Sequence, residues 1–218
     1  MSFRNTAEAV EAWVEGWAVS RGAAEPVPSP WGFTIDVGLP QHVMRHVLTT
    51  ADETTVRKIT ENATAPAVWL KAFVPPETLT PWLASGWSVS GGPSSLMSAP
   101  LRASRTVVPA GYRLRTWSRA GVTRTLVRTA DGAFAARGQI AVTGSTAVVD
   151  QVETDPAHQR RGLGRLVMAT LADAAAGQAA TVGVLGATLE GRALYERVGW
   201  RVLAPLTSAV RGPGPVEA

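Results

Sequence analysis

Val10, Trp13, Val14, Trp17 and Ala18 recur three or four positions apart, which places them on one face of a helix over residues 5–20. Asn5, followed three residues later by Glu8, supplies a capping pattern at its start. A proline-rich link (Pro26, Pro28, Pro30) leads into an alternating stretch, Trp31 to Val37, that reads as a strand. Pro40 is expected to open a short helix with Val43, Met44, Val47 and Leu48 on one side, and a polar helix is expected over 52–62. Ala67 to Val74 reads as a strand broken by Pro75-Pro76, 77–85 as a short helix closed by Gly86, and 94–101 as a further strand.

Past residue 104 the pattern turns to β. Four strands are expected, Tyr112–Trp117, Val122–Thr129, Ala133–Val142 and Thr146–Thr154, with Asp131-Gly132 and Gly144-Ser145 as turn signals. A helix over about 162–176, a strand over 181–187, a helix over 189–198 and a last strand from near Trp200 follow. The stretch Gly212-Pro213-Gly214-Pro215 is expected to fray. Residues 82–89 echo residues 195–202 around Gly86-Trp87 and Gly199-Trp200, and each segment follows a strand. Duplication and shared amphipathicity both account for an echo this short.

The chain has 218 residues, of which 45% are hydrophobic and 17% charged, a balance that fits a globular protein of one domain or two small ones. The absence of cysteine excludes a disulfide scaffold, a thiolate metal site and a cysteine nucleophile. No run approaches the roughly 18 apolar residues of a bilayer span. The first residues include acids and have no apolar secretory core, so a cytoplasmic protein is expected.

Charge divides unevenly. Residues 1–104 carry 7 basic and 9 acidic side chains, a net −2, and residues 105–218 carry 14 and 8, a net +6. All the basic residues of the second part are arginine, whose planar fork matches phosphate oxygens. They are scattered and not interleaved with aromatics, which speaks against a nucleic-acid surface and for a smaller polyanion.

The strongest chemical signal runs from Thr154 to Leu166, TDPAHQRRGLGRL. A valine-rich strand ends at Asp155-Pro156, and a polar turn leads to Gly162-Leu163-Gly164, which opens a helix. The first turn of a helix leaves N–H groups unpaired and carries partial positive charge. Glycine admits close approach to the backbone, and Arg160, Arg161 and Arg165 add formal charge. This is the chemistry of a pyrophosphate cradle. A Walker loop is excluded for want of Gly-Lys-Ser/Thr, and a dinucleotide fingerprint because Val167 stands where its third glycine belongs.

Gln159-Arg160-Arg161-Gly162-Leu163-Gly164 resembles the Gln/Arg-x-x-Gly-x-Gly/Ala signature of the GNAT N-acetyltransferase superfamily. Ala193-Leu194-Tyr195-Glu196-Arg197-Val198-Gly199-Trp200 is similar to its second landmark, in matching order and spacing. The resemblance covers about residues 133–203. It implies an α/β (α+β) fold with a mixed, mostly antiparallel central sheet flanked by helices. Residues 1–104 would form a smaller N-terminal lobe, a degenerate GNAT-like half covering the acceptor side. Residues 105–211 would form the acetyl-CoA-binding domain.

The resemblance further implies that the fourth and fifth strands of the family diverge into a V that takes the pantetheine arm. By residue matching, Val152, Glu153 and Thr154 would hold pantetheine and the acetyl carbonyl, and Gln159, Arg160, Arg161, Gly162, Leu163 and Gly164 the pyrophosphate. Tyr195 would be the acid that protonates the departing thiolate, and Glu153 the base, ahead of Asp150, which three residues away on a strand is expected to face the opposite side. Two departures from the family bear on this. Gly183 stands where some relatives carry a glutamate, and Thr188 where an asparagine often contacts the cofactor; its hydroxyl is a partial substitute.

His42 and His46, four apart on the expected helix, form no metal site without a third ligand, and His158 reads as a polar turn residue. No metal is expected. Only residues 118–121 separate the first two strands of the second half, too few for the helices that GNAT domains insert there. The first half, with tryptophans at 13, 17, 31, 69, 82 and 87, is expected to supply the missing cover. The expected function is acetyl transfer from acetyl-CoA, or another acyl-CoA co-substrate, to the amine of a small molecule or peptide. The alternative is a regulatory protein that binds acyl-CoA without turnover. Monomer and homodimer both remain open.

Overall fold

A computed structural model describes residues 3–104 and 106–212; most of the stretch expected to fray lies outside them. Helix α1 (Thr6–Arg21) starts as its sequence predicts. The Asn5 side chain accepts from the Glu8 N–H at 2.9 Å, and Glu8 reaches back to the Arg4 N–H at 2.7 Å. Gly22, left-handed at φ 62°, closes it. Val10, Trp13, Val14 and Trp17 are buried on its inner face.

Strands β1 (Val27–Ser29), β2 (Gly32–Leu39) and β3 (His42–Leu48) follow. The helix expected after Pro40 is instead β3, paired antiparallel with β2 across a turn at Pro40-Gln41. The misleading spacing has a physical cause, because β3 is covered on both faces. Arg45 and Val47 face α1, while Met44 and Leu48 pack with α2 (Glu53–Asn62). A strand buried on two sides loses its alternation and imitates a helical pattern.

Strand β4 (Val68–Ala72) leads to a short helix, α3 (Pro76–Leu79), that tightens into a 3-10 turn over Thr80–Trp82. The helix expected to reach residue 85 ends earlier, with Leu83 already extended. β5 (Trp87–Val89), β6 (Ser94–Pro100), β7 (Tyr112–Arg119), β8 (Val122–Thr129), β9 (Phe134–Thr143) and β10 (Thr146–Thr154) come next. Then follow α4 (Leu163–Ala176), β11 (Val182–Thr188), α5 (Leu189–Arg197) and β12 (Arg201–Arg211).

The strands form one mixed, mostly antiparallel sheet in the order β1-β2-β3-β4-β12-β6-β11-β10-β9-β8-β7, with β5 beside β12. Its two ends mirror each other. β1-β2-β3 is antiparallel, β3-β4 parallel and β4-β12 antiparallel. Likewise β8-β9-β10 is antiparallel, β10-β11 parallel and β11-β6 antiparallel. Each half has handed its last long strand to the other, and the exchanged strands β6 and β12 pair at the centre. The sequence echo lies on equivalent elements. Gly86 (φ 82°) and Gly199 (φ 92°) each turn the chain out of a helical segment into a buried tryptophan, Trp87 or Trp200. The chain is therefore two-lobed, with the second half the more complete.

Two-residue turns at Ala120-Gly121, both with positive φ, join β7 to β8 directly, so no helix is inserted there. Helices α4 and α5 cover one face of the second half, around Met97, Ile140, Val167 and Leu171. The opposite face, with Leu96, Val148, Val184 and Leu206, is covered by α1. Gly16 lets α1 approach: a Cβ there would stand 2.3 Å from a Val148 methyl.

Candidate active site

β10 and β11 pair in parallel only from Thr146 and Val182 to Val148 and Val184. Beyond those residues they diverge, and a cavity of about 1010 Å³ opens between them. Its lining includes Asp150, Val152 and Thr154 from β10, Gln159, Arg160, Gly162, Leu163, Gly164 and Arg165 from the loop and α4, and Gly186, Thr188 and Tyr195 from β11 and α5.

The tip of α4 explains the loop sequence. Gly162 is the residue before the helix, left-handed at φ 78°, and no side chain caps the helix. The Leu166 N–H bonds to the Gly162 carbonyl, and no capping side chain fills the space before the first amides. Arg160, also left-handed at φ 60°, turns the backbone just before them. Uncapped backbone N–H groups at a positive helix end are suited to an anion. The equivalent helix of the first half contrasts with it. The N-terminus of α2 is filled by Asp52, whose carboxylate accepts from the Thr55 N–H at 2.9 Å, and β3 and β4 stay paired through Val47 and Lys71. An anion meets a carboxylate there, so that half keeps the architecture and lacks the cradle.

The two glycines of the motif differ in purpose. Gly162 supplies a positive φ in open space. Gly164 is required by packing, because a Cβ there would stand 2.7 Å from a Leu194 methyl of α5.

The carboxylates are arranged differently from the expectation. β10 carries a bulge at Gln151 (φ 51°): Asp150 opposes Gln139 and Glu153 opposes Arg137. The extra residue brings Asp150 and Glu153 onto the same face, not opposite ones. Glu153 does not line the cavity; its Oε2 accepts from Arg137 Nε at 2.8 Å on the exposed surface. Asp150 does line it. Its carboxylate accepts from Ser20 Oγ at 3.0 Å, from the Gln151 N–H at 2.9 Å and from Arg21, whose Nη2 lies 2.9 Å from Oδ1. The sequence signal for this contact was absent, since 129 residues separate Arg21 from Asp150.

Tyr195 lies at the cavity wall, 8% exposed, with its ring against Gly191 and its centroid 6.3 Å from that of Trp200. Burial, and secondarily the Asp150 charge, push the phenol up to about 12. Thr188 caps α5, accepting from the Gly191 N–H at 3.1 Å. Arg161 lies outside the lining and donates to the Tyr112 hydroxyl at 3.2 Å, which also meets His158 Nδ1 at 3.1 Å. Gly183 has no room for an acidic side chain, because its Cβ would stand 2.7 Å from Trp200. His42 and His46 lie on β3, not on a helix; His46 Nδ1 bonds Thr34 at 3.0 Å. No metal-holding cluster occurs among the described residues. Sequence reasoning also missed Gly186 and Arg197 as lining residues.

A parallel strand pair that splays beside an uncapped, glycine-led helix is the arrangement that the resemblance of the sequence implied. Residues 98–200 match the acetyltransferase (GNAT) family. The fold is similar to that of a GCN5-related N-acetyltransferase from Kribbella flavida, at TM-score 0.67 and 19% identity over 98% of each chain. It is also similar to an acetyltransferase of the GNAT family from Novosphingobium aromaticivorans, at TM-score 0.60 and 18% identity over 95% of this chain and 97% of the other. A tandem GNAT protein from the clavulanic acid biosynthesis pathway aligns at TM-score 0.53 and 13% identity over 74% of this chain and 68% of that one. No curated protein matches the chain in sequence.

Proposed function

We propose that the protein is an acyl-CoA-dependent N-acyltransferase that passes an acetyl group to the amine of a small molecule or peptide. The observation that carries this reading is the uncapped tip of α4 opening onto the splay of β10 and β11. In this reading the backbone amides from Arg160 to Gly164 hold the pyrophosphate of the co-substrate, with Gln159 and Arg165 beside them. Val152 and Thr154, on the free edge of β10, hold the pantetheine arm. Arg161 supports the loop through Tyr112.

The chemistry is one substitution. The neutral amine attacks the thioester carbonyl, a C–N bond forms, the C–S bond breaks, and the amine's surplus proton leaves as the sulfur gains one. Glu153 is tied to Arg137 away from the cavity, so the carboxylate at hand for the amine is Asp150, directly or through water. Tyr195, at the cavity wall, is the donor assigned in this reading to the leaving sulfur. With its phenol held near 12, it stays protonated and stabilises the thiolate chiefly as a hydrogen-bond donor. Thr188 orients α5 and with it Tyr195.

One observation favours the competing reading of binding without turnover. Neither Glu153 nor position 183 offers a free carboxylate, and Asp150 is engaged by three partners. Release of free thiol from acetyl-CoA across a panel of amines decides. Turnover with any amine supports transfer; cofactor binding with no thiol release from any of them supports the alternative.

A further inference from the structure

α1 does more than cover the sheet. Its tryptophans lie over a cluster of cations on β3 and β4 that has no carboxylate partner among the described residues. The Arg45 guanidinium stacks on Trp17, 3.6 Å from the ring centroid, and lies 5.8 Å from that of Trp13. Arg45 is 7% exposed. Its Nε donates to His42 Nε2 at 3.3 Å, and it forms no salt bridge among the described residues. No buried side-chain nitrogen among those residues lacks a partner, so the remaining Arg45 nitrogens are not sealed off and face reachable space.

Lys71 lies beside it. Its Nζ donates to Ser208 Oγ at 2.5 Å and stands 4.9 Å from the Trp69 centroid. The His42 ring stands between Trp17 and Trp69, at 5.9 and 5.3 Å. Burial and the charges of Arg45 and Arg21 hold Lys71 well below its usual range, and burial first, then Arg45, lowers His42 to about 3. Two basic side chains crowded together with no ion-pair partner among the described residues, and only the more distant charge of Asp150 to favour Arg45, are driven toward their neutral forms, and a bound anion would restore their charge. His42, Trp69 and Lys71 are only half-buried, so the cluster opens to the exterior.

The cluster adjoins the splay. Gly186 lines the cavity, and a Cβ there would lie 3.7 Å from Trp13, the ring next to Arg45. Asp150, also in the lining, is bound by Arg21, whose charge acts on both Arg45 and Lys71. An amine placed at Asp150 would carry the rest of its molecule toward these cations.

We propose that the acceptor carries a carboxylate, as an amino acid does, and that Arg45 and Lys71 receive it beside His42. This rests on the acyltransfer reading above and names its substrate class. Arginine's fork matches a carboxylate in two parallel bonds, and the indoles accommodate a flat or apolar substituent.

The test uses the full chain saturated with coenzyme A. Calorimetry compares 3-phenylpropanoate, which has the carboxylate and no amine, with its neutral amide. The carboxylate binds at least tenfold more tightly. Lys71→Met removes that preference while leaving coenzyme A affinity unchanged and the melting temperature equal or higher. Arg45→Met has the same effect on binding, and Lys71→Met decides should that variant not fold. Equal affinity for the two probes, no binding of either, or a preference that survives Lys71→Met overturns the proposal. Thiol release with phenylalanine and phenylalaninamide separates the two levels. Carboxylate binding without turnover of any amine defeats acyl transfer and keeps the anion subsite. Turnover of both acceptors with equal kcat/KM defeats the subsite and keeps acyl transfer.

Discussion

Asp150, at the mouth of the splay, is held by Arg21, the last residue of α1, so the start of the chain fixes a carboxylate of the candidate active site. Ser20 adds a second bond from the same helix, and the Gln139 side chain ties to Ser20 from below, at 2.7 Å to Oγ and 2.8 Å to the carbonyl. Asp150→Asn keeps the shape and removes the charge. Thiol release with an accepted amine should fall at least about tenfold, while coenzyme A affinity stays within about twofold. Arg21→Met should cost about 1–2 kcal/mol of stability in a denaturant titration, the loss of a bond to a charged group.

Tyr195→Phe should lower turnover by about ten- to a hundredfold and leave coenzyme A affinity nearly unchanged, because it removes one hydroxyl and no packing. The raised phenol has a second consequence. In the unfolded chain it ionises near 10, in the folded protein near 12. Between those values the unfolded state binds fewer protons, so stability falls as pH rises through that window. Melting curves from pH 9 to 11.5 should decline less steeply for Tyr195→Phe than for the parent. Identical slopes would contradict the burial of this phenol.

His42 gives the opposite sign. Its folded value is lowered to about 3 from 6.5, first by burial and then by Arg45. Between 3 and 6.5 the unfolded state binds the extra proton, so stability falls as the solution is acidified. His42→Asn should flatten the fall in melting temperature from pH 7 to 4 relative to the parent. An unchanged slope would show that His42 is free to protonate where it stands.

The two motif glycines should fail differently. Gly164→Ala drives a methyl into Leu194 and should destabilise by about 1–3 kcal/mol through overpacking, separating α4 from α5. Gly162→Asp sets a carboxylate at the tip of α4, as Asp52 does on α2, and should weaken coenzyme A binding at least about a hundredfold at a cost of about 1–2 kcal/mol for the left-handed backbone. Denaturant midpoints and calorimetry on both variants read the difference.

Local signals carried most of the elements. The cap of α1, the turn residues at Asp131-Gly132 and Gly144-Ser145, and the apolar face of α4 all act within a few residues, and each corresponds to an observed element. β3 failed because it is covered by α1 and α2 together, which erased its alternation. The exchange of β6 and β12 left no local trace, because pairing partners a hundred residues apart are chosen by the whole sheet. In the site, the glycine-led helix tip was legible from its motif. The bulge at Gln151 was not, and it moved the proposed base from Glu153 to Asp150. The cations at Arg45 and Lys71 were equally silent, being single residues on strands whose neighbours, Trp17 of α1 and Ser208 of β12, are distant in sequence.

In the proposed function the amides at the tip of α4 hold the diphosphate of coenzyme A. Calorimetric titration of the full chain with coenzyme A, paired with melting at a ligand concentration one hundred times the dissociation constant, tests it most directly. One site per chain is expected, with a stabilisation of about 2.7 kcal/mol, which for a chain of this size raises the melting temperature by about 5–10 °C. No heat and no rise in melting temperature would contradict it.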